Sequence, residues 1–314
     1  MNNWIGKSSL DRDMGQRDAT ELDAAWRSAF VLEVDEGGGF AAEGGVPMQL
    51  DPPGSRRVDD ILLGTFHDRP WFARPVSSPG THEATWRDVD PGWQEPVAAA
   101  VALVRWHAMS PHCERCGGST LVDGGGVRRV CPSCGLLVFP RQDPAVIVAV
   151  LDPKDRLLLA SHAAWPPDRV SVIAGFVEAG ESLEQACWRE VAEEVGVTLE
   201  AVSYVSSQPW PMPRSLMLGF VATTAQDTVH PDGDEIAWGR FWTRDEVRRA
   251  MGAAEIRLPG KGSIGRQLIE SWLADTLQKP GSQVTNAQRI ASGNKPRSPH
   301  VVALEDQRER GEHD

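Results

Sequence analysis

The chain has 314 residues, of which 41% are apolar and 24% charged, and its net charge is -12. This is the composition of an ordinary water-soluble globular protein, long enough for two domains and a sizeable core. No run of about 18 apolar residues occurs, so no membrane-spanning helix is expected, and the net charge argues against broad electrostatic attraction to nucleic acid, leaving at most a local basic groove. The start, MNNWIGKSSLDRDMGQR, lacks the apolar segment of a secretory signal, so the expected location is the cytoplasm. A disulfide framework is therefore disfavoured for the five cysteines.

Taken in order, residues 1 to about 20 are polar and expected to be poorly ordered. From Trp26 to about Pro96 the text is strand-like and turn-rich. LLGTFHDRPWFARPV predicts a hairpin about His67, Asp68, Arg69 and Pro70, and MQLDPPG a further strand and turn. A small α+β domain is expected over 1–105. Asp68 and Arg69 read as turn residues, and no chemistry is legible there. PVAAAVALVRWHAM predicts a packing helix up to Met109.

Cys113-x2-Cys116 and Cys131-x2-Cys134 stand fourteen residues apart, each pair followed by Gly. Two such knuckles predict a four-cysteine zinc ribbon over 106–140. Thiolates favour zinc, and four of them leave no open position for water, so one structural Zn2+ per chain is expected. With the set complete, His107 and His112 are not needed as ligands. Ribbons also occur as nucleic-acid modules, but the insert offers only Arg128 and Arg129 as cations.

The third segment, 141–277, alternates strands and helices. AVIVAVLDPKDRLLLASHAAW predicts a hairpin, and VSVIAGFV a strand entering a glycine loop. Then follows GFVEAGESLEQACWREVAEEVGV. Gly175 and Gly180 are expected to relieve backbone strain. Ser182 is the expected N-cap and Gly196 the C-cap. Glu190, Glu193 and Glu194 share one helical face, where like charges repel unless a hard divalent cation is bound. Cys187 reads as a small buried apolar residue. LEAVSYVSSQPWP, SLMLGFVATTA and EIAWGRFW predict strands, TRDEVRRAMG a helix, and SIGRQLIESWLADTL a last helix ending near Leu277. Residues 278–314 read as a disordered tail.

The spacing Gly-x5-Glu-x7-Arg-Glu-hydrophobic-x-Glu-Glu-x-Gly-hydrophobic, filled from Gly175 to Val197, resembles the box of the Nudix hydrolases. That resemblance implies an α/β/α sandwich and cleavage of a nucleoside diphosphate derivative. With SQPWPMPRS (Ser207–Ser215) downstream and the ribbon upstream, the chain resembles the NADH pyrophosphatase subfamily over nearly its whole length. The resemblance implies hydrolysis of NAD(H) to AMP and nicotinamide mononucleotide, removal of NAD caps from RNA, and a homodimer.

Residue by residue, it makes Glu190, Glu194, Glu235 and the Ala174 carbonyl ligands for two or three Mg2+ or Mn2+ ions. Glu193 becomes a base or further ligand. Phe176 becomes a ring that stacks on the substrate base, and Phe139 one that reaches a neighbouring subunit's substrate. Both rings suit a core equally well. Gln208, Pro209, Trp210, Pro211, Met212, Pro213, Arg214 and Ser215 become the substrate loop, stiffened by its prolines. Arg189 and Glu181 are expected to orient carboxylates and brace the loop. The chain departs from the subfamily at Met212, where Phe is usual, and at Gly265, where Ala is. A Nudix hydrolase for another nucleotide and a non-catalytic nucleotide or RNA-end binder are the rival readings.

Overall fold

The computed structural model of the protein describes residues 4, 6–12, 17–80 and 83–281, so the predicted tail lies from 282 onward outside the described residues. Every element below belongs to one compact unit that ends at Pro280. Helix α1 (Ala19–Trp26) begins where the Asp18 carboxylate accepts the Glu21 N–H, satisfying one orphan donor of the first turn. Strands β1 (Phe30–Asp35), β2 (Phe40–Glu43), β3 (Val46–Pro47), β4 (Ile61–Phe66), β5 (Arg69–Val76) and β6 (Glu83–Ala84) form the first sheet. Its order is β3-β2-β1-β5-β4, with β6 on β2. The predicted hairpin is β4–β5. His67 and Asp68 take φ of 49° and 59°, the left-handed pair that suits a two-residue turn. Helix α2 (Gln94–Met109) lays Val97, Val101 and Val104 on one face of the sheet, against Leu32, Val34 and Leu63. α1 covers the other face through Leu22 and Trp26. MQLDPPG contributes only a bridge from Leu50 to Val31, since Pro52 and Pro53 have no N–H to extend a ladder.

The residues expected to be disordered before α1 are in part fixed. Leu10 is 1% exposed in the first core, and Asp11 exchanges two 2.8 Å backbone hydrogen bonds with Thr65. The Glu95 carboxylate accepts the Ser9 and Leu10 N–H groups. Gly64 makes room for this crossing: a Cβ there would lie 2.2 Å from the Asp11 carbonyl oxygen. The polar segment gave no sign of it because its partners, Thr65 and Glu95, lie more than fifty residues away in the chain.

The middle segment is a three-stranded antiparallel sheet, β7 (Leu121–Asp123), β8 (Arg128–Val130) and β9 (Leu137–Val138). The last sheet contains β10 (Asp143–Leu151), β11 (Leu157–His162), β12 (Ile173–Phe176), β13 (Ala201–Trp210), β14 (Ser215–Thr223) and β15 (Ile236–Trp242). Its order is β13-β14-β10-β11-β15, with β12 paired to β10. β10 is apolar at every position from Ala145 because both its faces are covered. Val146, Val148 and Val150 face helix α3 (Leu183–Val195), including the buried Cys187. Ile147, Ala149 and Leu151 face α4 (Arg244–Gly252) and α5 (Ile264–Leu273). Burying each such Val, Ile or Leu stabilises the fold by about 1.5–3 kcal/mol. This is the expected α/β/α sandwich. α5 stops at Leu273 rather than near Leu277, because Asp275 turns left-handed at φ 58° and pairs with Arg244 at 3.0 Å. Among the described residues no helix is long and apolar enough to cross a membrane.

Candidate active site

α3 carries both predicted caps. The Ser182 hydroxyl accepts the Gln185 N–H while the Gln185 side chain accepts the Ser182 N–H, and Gly196 closes the helix at φ 63°. Arg189 is the hub of its acidic face. Its guanidinium donates to both Glu181 oxygens at 2.9 and 2.8 Å and to the Phe176 carbonyl at 2.9 Å. It also pairs with Glu190 at 2.9 Å and Glu193 at 3.2 Å. This fork ties the loop carboxylate Glu181 to the helix, as expected.

Gly175 is needed for space rather than for backbone freedom. It sits in β12 with no left-handed φ, and a Cβ there would lie 1.9 Å from Glu190 Cδ. The carboxylate of Glu190 therefore lies against the strand backbone itself. Gly180, by contrast, does take φ 88°.

Glu190 and Glu194 are 9% and 6% exposed. Burial raises both carboxyls, and Glu194 is pushed up to about 8 by burial first and then by Glu190, Glu235, Asp232 and Glu193. Two buried acids that resist ionising together suit a divalent cation, which would supply the missing countercharge. Because the folded carboxyl of Glu194 titrates higher than an unfolded one, the metal-free protein loses stability as pH rises from about 4.5 to about 8. The slope is at most about 1.4 kcal/mol per pH unit for this group. Divalent ions bind the ionised form, so the Tm gain from 10-fold excess Mg2+ should be small at pH 6 and large at pH 8.5. Equal gains at both pH values would count against the pair as the metal site.

A cleft of about 810 Å³ brings together Ala174, Glu190, Glu193, Glu194 and Glu235. Phe176, Met212 and Gly265 lie on it as well, with Gln208, Trp210, Pro213 and Ser215. SQPWPMPRS is not a free loop: Gln208 to Trp210 end β13, Ser215 opens β14, and only the residues between turn. Gln208 is fully buried, with Nε2 donating to the Gly262 carbonyl at 2.6 Å and Oε1 accepting the Ile264 N–H at 2.7 Å. It pins the start of α5 with one N–H and one lone pair of its amide. Phe139, Pro209, Pro211 and Arg214 lie outside this cleft, on a second cavity of about 280 Å³ beside α2. Arg214 pairs there with Asp143 at 2.7 Å. Trp210 stands between the two cavities, edge-on to Trp86 at 5.0 Å.

Sequence reading missed Asp232. Its carboxylate accepts the Ile236 N–H at 2.9 Å, its own N–H donates to the Glu194 carbonyl, and it so fixes Glu235 against the end of α3. The run His-Pro-Asp-Gly-Asp-Glu is the turn signal that marks it.

The four predicted thiols converge. Cys113 and Cys134 Sγ are 3.6 Å apart, Cys116 and Cys131 3.5 Å, and all four lie within 4.8 Å of one another. The edge of a tetrahedron of Zn–S bonds is about 3.8 Å, so the donor set fits zinc. Both knuckles fold alike: Gly117 and Gly135, at φ 73° and 72°, donate to the Cys113 and Cys131 carbonyls. The two cations of the ribbon's insert, Arg128 and Arg129, are engaged internally. Arg129 donates to Thr120 and to His107 Nδ1, and Arg128 pairs with Asp123. His107 bonds the Gly126 carbonyl through Nε2 and stays outside the thiol group. Cys131→Ser should release the ion and lower Tm by about 10 °C. Retention of zinc, or an unchanged melt, would contradict the structural assignment.

The NUDIX domain family matches residues 141–258. The chain is 37% identical over 298 residues to NAD-capped RNA hydrolase NudC of Mycobacterium bovis (strain BCG / Pasteur 1173P2), covering 85% of this chain and 94% of that protein. It is 36% identical over 189 residues to NAD-capped RNA hydrolase NUDT12 of Homo sapiens, covering 56% of this chain and 41% of that one. A solved NUDIX hydrolase from Nitrosomonas europaea is 21% identical, with a TM-score of 0.44, over 55% of this chain and 96% of its own. NUDIX hydrolases use divalent metals, and the cleft's carboxylates, Glu190, Glu193, Glu194 and Glu235, lie inside the matched span. The chain belongs to the NUDIX hydrolases, in the NADH pyrophosphatase subfamily that includes NudC.

Proposed function

We propose that the protein hydrolyses the diphosphate of NAD(H) to AMP and (reduced) nicotinamide mononucleotide, and that it removes NAD caps from RNA 5′ ends. Relatives that carry the name NAD-capped RNA hydrolase support this, at 37% identity over most of the chain. The observation that carries it is one cleft in which the buried pair Glu190 and Glu194 faces an exposed ring, Phe176, 57% accessible. An exposed phenyl beside an acidic metal site suits a flat base stacked over a diphosphate.

In this reading Glu190, Glu194, Glu235 and the Ala174 carbonyl hold two or three Mg2+ or Mn2+ ions. Bound there, the ions neutralise the diphosphate and lower the pKa of a coordinated water. Arg189 keeps Glu190 aimed while bracing the loop through Glu181. Glu193, on the exposed side of α3, is the base or a further ligand. Gln208 holds the wall formed by α5. Zn2+, one per chain, is held by Cys113, Cys116, Cys131 and Cys134 and does no chemistry. The remaining parts of the reading are a cytoplasmic homodimer, with Phe139 offered to the neighbouring subunit, and modules at 1–105, 106–140 and 141–277. Separate apolar cores in the first and last of these support the division.

Incubation with NADH and Mg2+ or Mn2+ should give AMP and reduced nicotinamide mononucleotide in equal amounts, abolished by chelation. No product from folded, zinc-loaded protein, on either NADH or NAD-capped RNA, would sink the reading. Met212 lines the cleft with a flexible side chain where a flat ring would offer a stacking face. Met212→Phe should therefore lower KM for NADH about three- to tenfold, the equivalent of one aromatic contact. An unchanged KM would remove Met212 from the substrate wall.

A further inference from the structure

The acidic cleft also contains a cationic corner that neither the sequence nor the hydrolytic chemistry uses. Among the described residues lining it, only Arg189 and Arg169 are arginine or lysine. Arg189 is spent on Glu181, Glu190 and Glu193. Arg169 forms no ion pair within the described chain. Its guanidinium carbon lies 4.4 Å from the centre of the Trp165 ring instead. The ring of His162 is 5.6 Å from the same indole. His162 Nδ1 accepts the Ala164 N–H at 3.0 Å, which leaves Nε2 as the donor.

The segment holding these groups is fixed along its length. Ala163 N–H donates to the carbonyl of Glu235 at 2.8 Å, which sets the corner beside the predicted metal ligand. Trp238 Nε1 donates to the Pro167 carbonyl, Asp168 pairs with Arg257, and Val170 N–H donates to the Arg257 carbonyl. Pro166 and Pro167 restrict φ between those anchors. A cation stacked on an aromatic ring, held by a rigid segment and facing a cleft, is preorganised for an anion.

The anion that fits depends on what the carboxylate end already takes. A free dinucleotide has two phosphates, both at its diphosphate. A capped RNA has a third, the phosphodiester on the 3′ side of the cap's adenosine, and a base beyond it. We propose that Arg169, braced by Trp165 and with His162 Nε2–H beside it, binds that third phosphate and so selects capped RNA over free dinucleotide. Trp165 also offers a ring on which the next base can stack. This inference rests on the NAD-cap reading above.

The test compares wild type, Arg169→Ala and Arg169→Lys on NADH and on an NAD-capped trinucleotide, at several salt concentrations. For Arg169→Ala, KM for the capped trinucleotide should rise about tenfold, while kcat/KM for NADH stays within twofold. Its slope of log kcat/KM against log salt should flatten by about 0.7 on the RNA, the value for one single-strand phosphate contact. Arg169→Lys should keep that slope but recover only part of the KM, having lost the two-pronged fork. Equal losses on both substrates would overturn the proposal by making Arg169 a dinucleotide contact, and an unchanged KM for the RNA would overturn it outright. Wild type that cleaves NADH yet gives either of those outcomes refutes only this subsite. Wild type idle on both substrates refutes the underlying reading and the subsite with it.

Discussion

Glu194→Gln should abolish turnover and make the metal-free protein more stable. The side chain is 6% exposed, and burial with four neighbouring acids pushes its carboxyl up to about 8. Glutamine keeps the shape and removes the charge that this environment disfavours. Each unit between the folded and ordinary values corresponds to about 1.4 kcal/mol. At pH 8 the metal-free variant should therefore melt several degrees above wild type, with the gain vanishing below about pH 4.5. The same change removes a charged oxygen from the proposed metal site, so kcat should fall about 10³-fold or more even at saturating Mg2+. The Tm gain on adding Mg2+ should shrink with it. Opposite signs for activity and stability separate a functional carboxylate from a structural one. A variant that melts lower than wild type, or keeps a tenth of its activity, would show that Glu194 is not what the cleft is built around.

Gly175→Ala should cost both activity and stability. The new methyl would stand 1.9 Å from Cδ of Glu190 and 2.1 and 2.3 Å from its two oxygens. Glu190 cannot simply swing away, since Arg189 holds it at 2.9 Å and the helix behind it is packed on β10. The carboxylate must leave its place or β12 must shift. Overpacking of this kind costs about 1–3 kcal/mol, and displacing this proposed metal-site carboxylate should lower kcat at least about 100-fold. Gly180→Ala is the control: no neighbour lies within 4 Å of an added Cβ, and only its φ of 88° is disfavoured. Comparable kcat losses in the two variants would remove the steric argument.

These two glycines show what was legible in the sequence. The caps of α3, the cysteine knuckles and the apolar run of β10 were readable because their causes lie within a few residues of each other. Gly175 was recognised as fixed, but the reason was misassigned. Its constraint is a side chain fifteen positions away that folds back onto it. Gln208 stood in a motif that implied ligand contact, and its amide also holds backbone groups 54 and 56 residues further on, a structural role the motif did not show. Leu10 and Asp11 looked like part of a polar arm, but Glu95 anchors the first and Thr65 the second. In each case the deciding partner was distant in the chain, and a distant partner leaves no periodic trace.

The Gln208 bonds also bear on how the acidic cleft is completed as the chain is made. A ribosome delivers the acidic helix first, the hairpin with Gln208 next, and Gly262 and Ile264 only afterwards. The matched NUDIX span ends at 258, before those two partners. A nascent chain of that length already holds every carboxylate, while the buried amide that should fasten the last wall has nothing to hold. The order of synthesis thus places a delay between having the acidic residues and having an enclosed site, and the delay ends only once α5 has emerged.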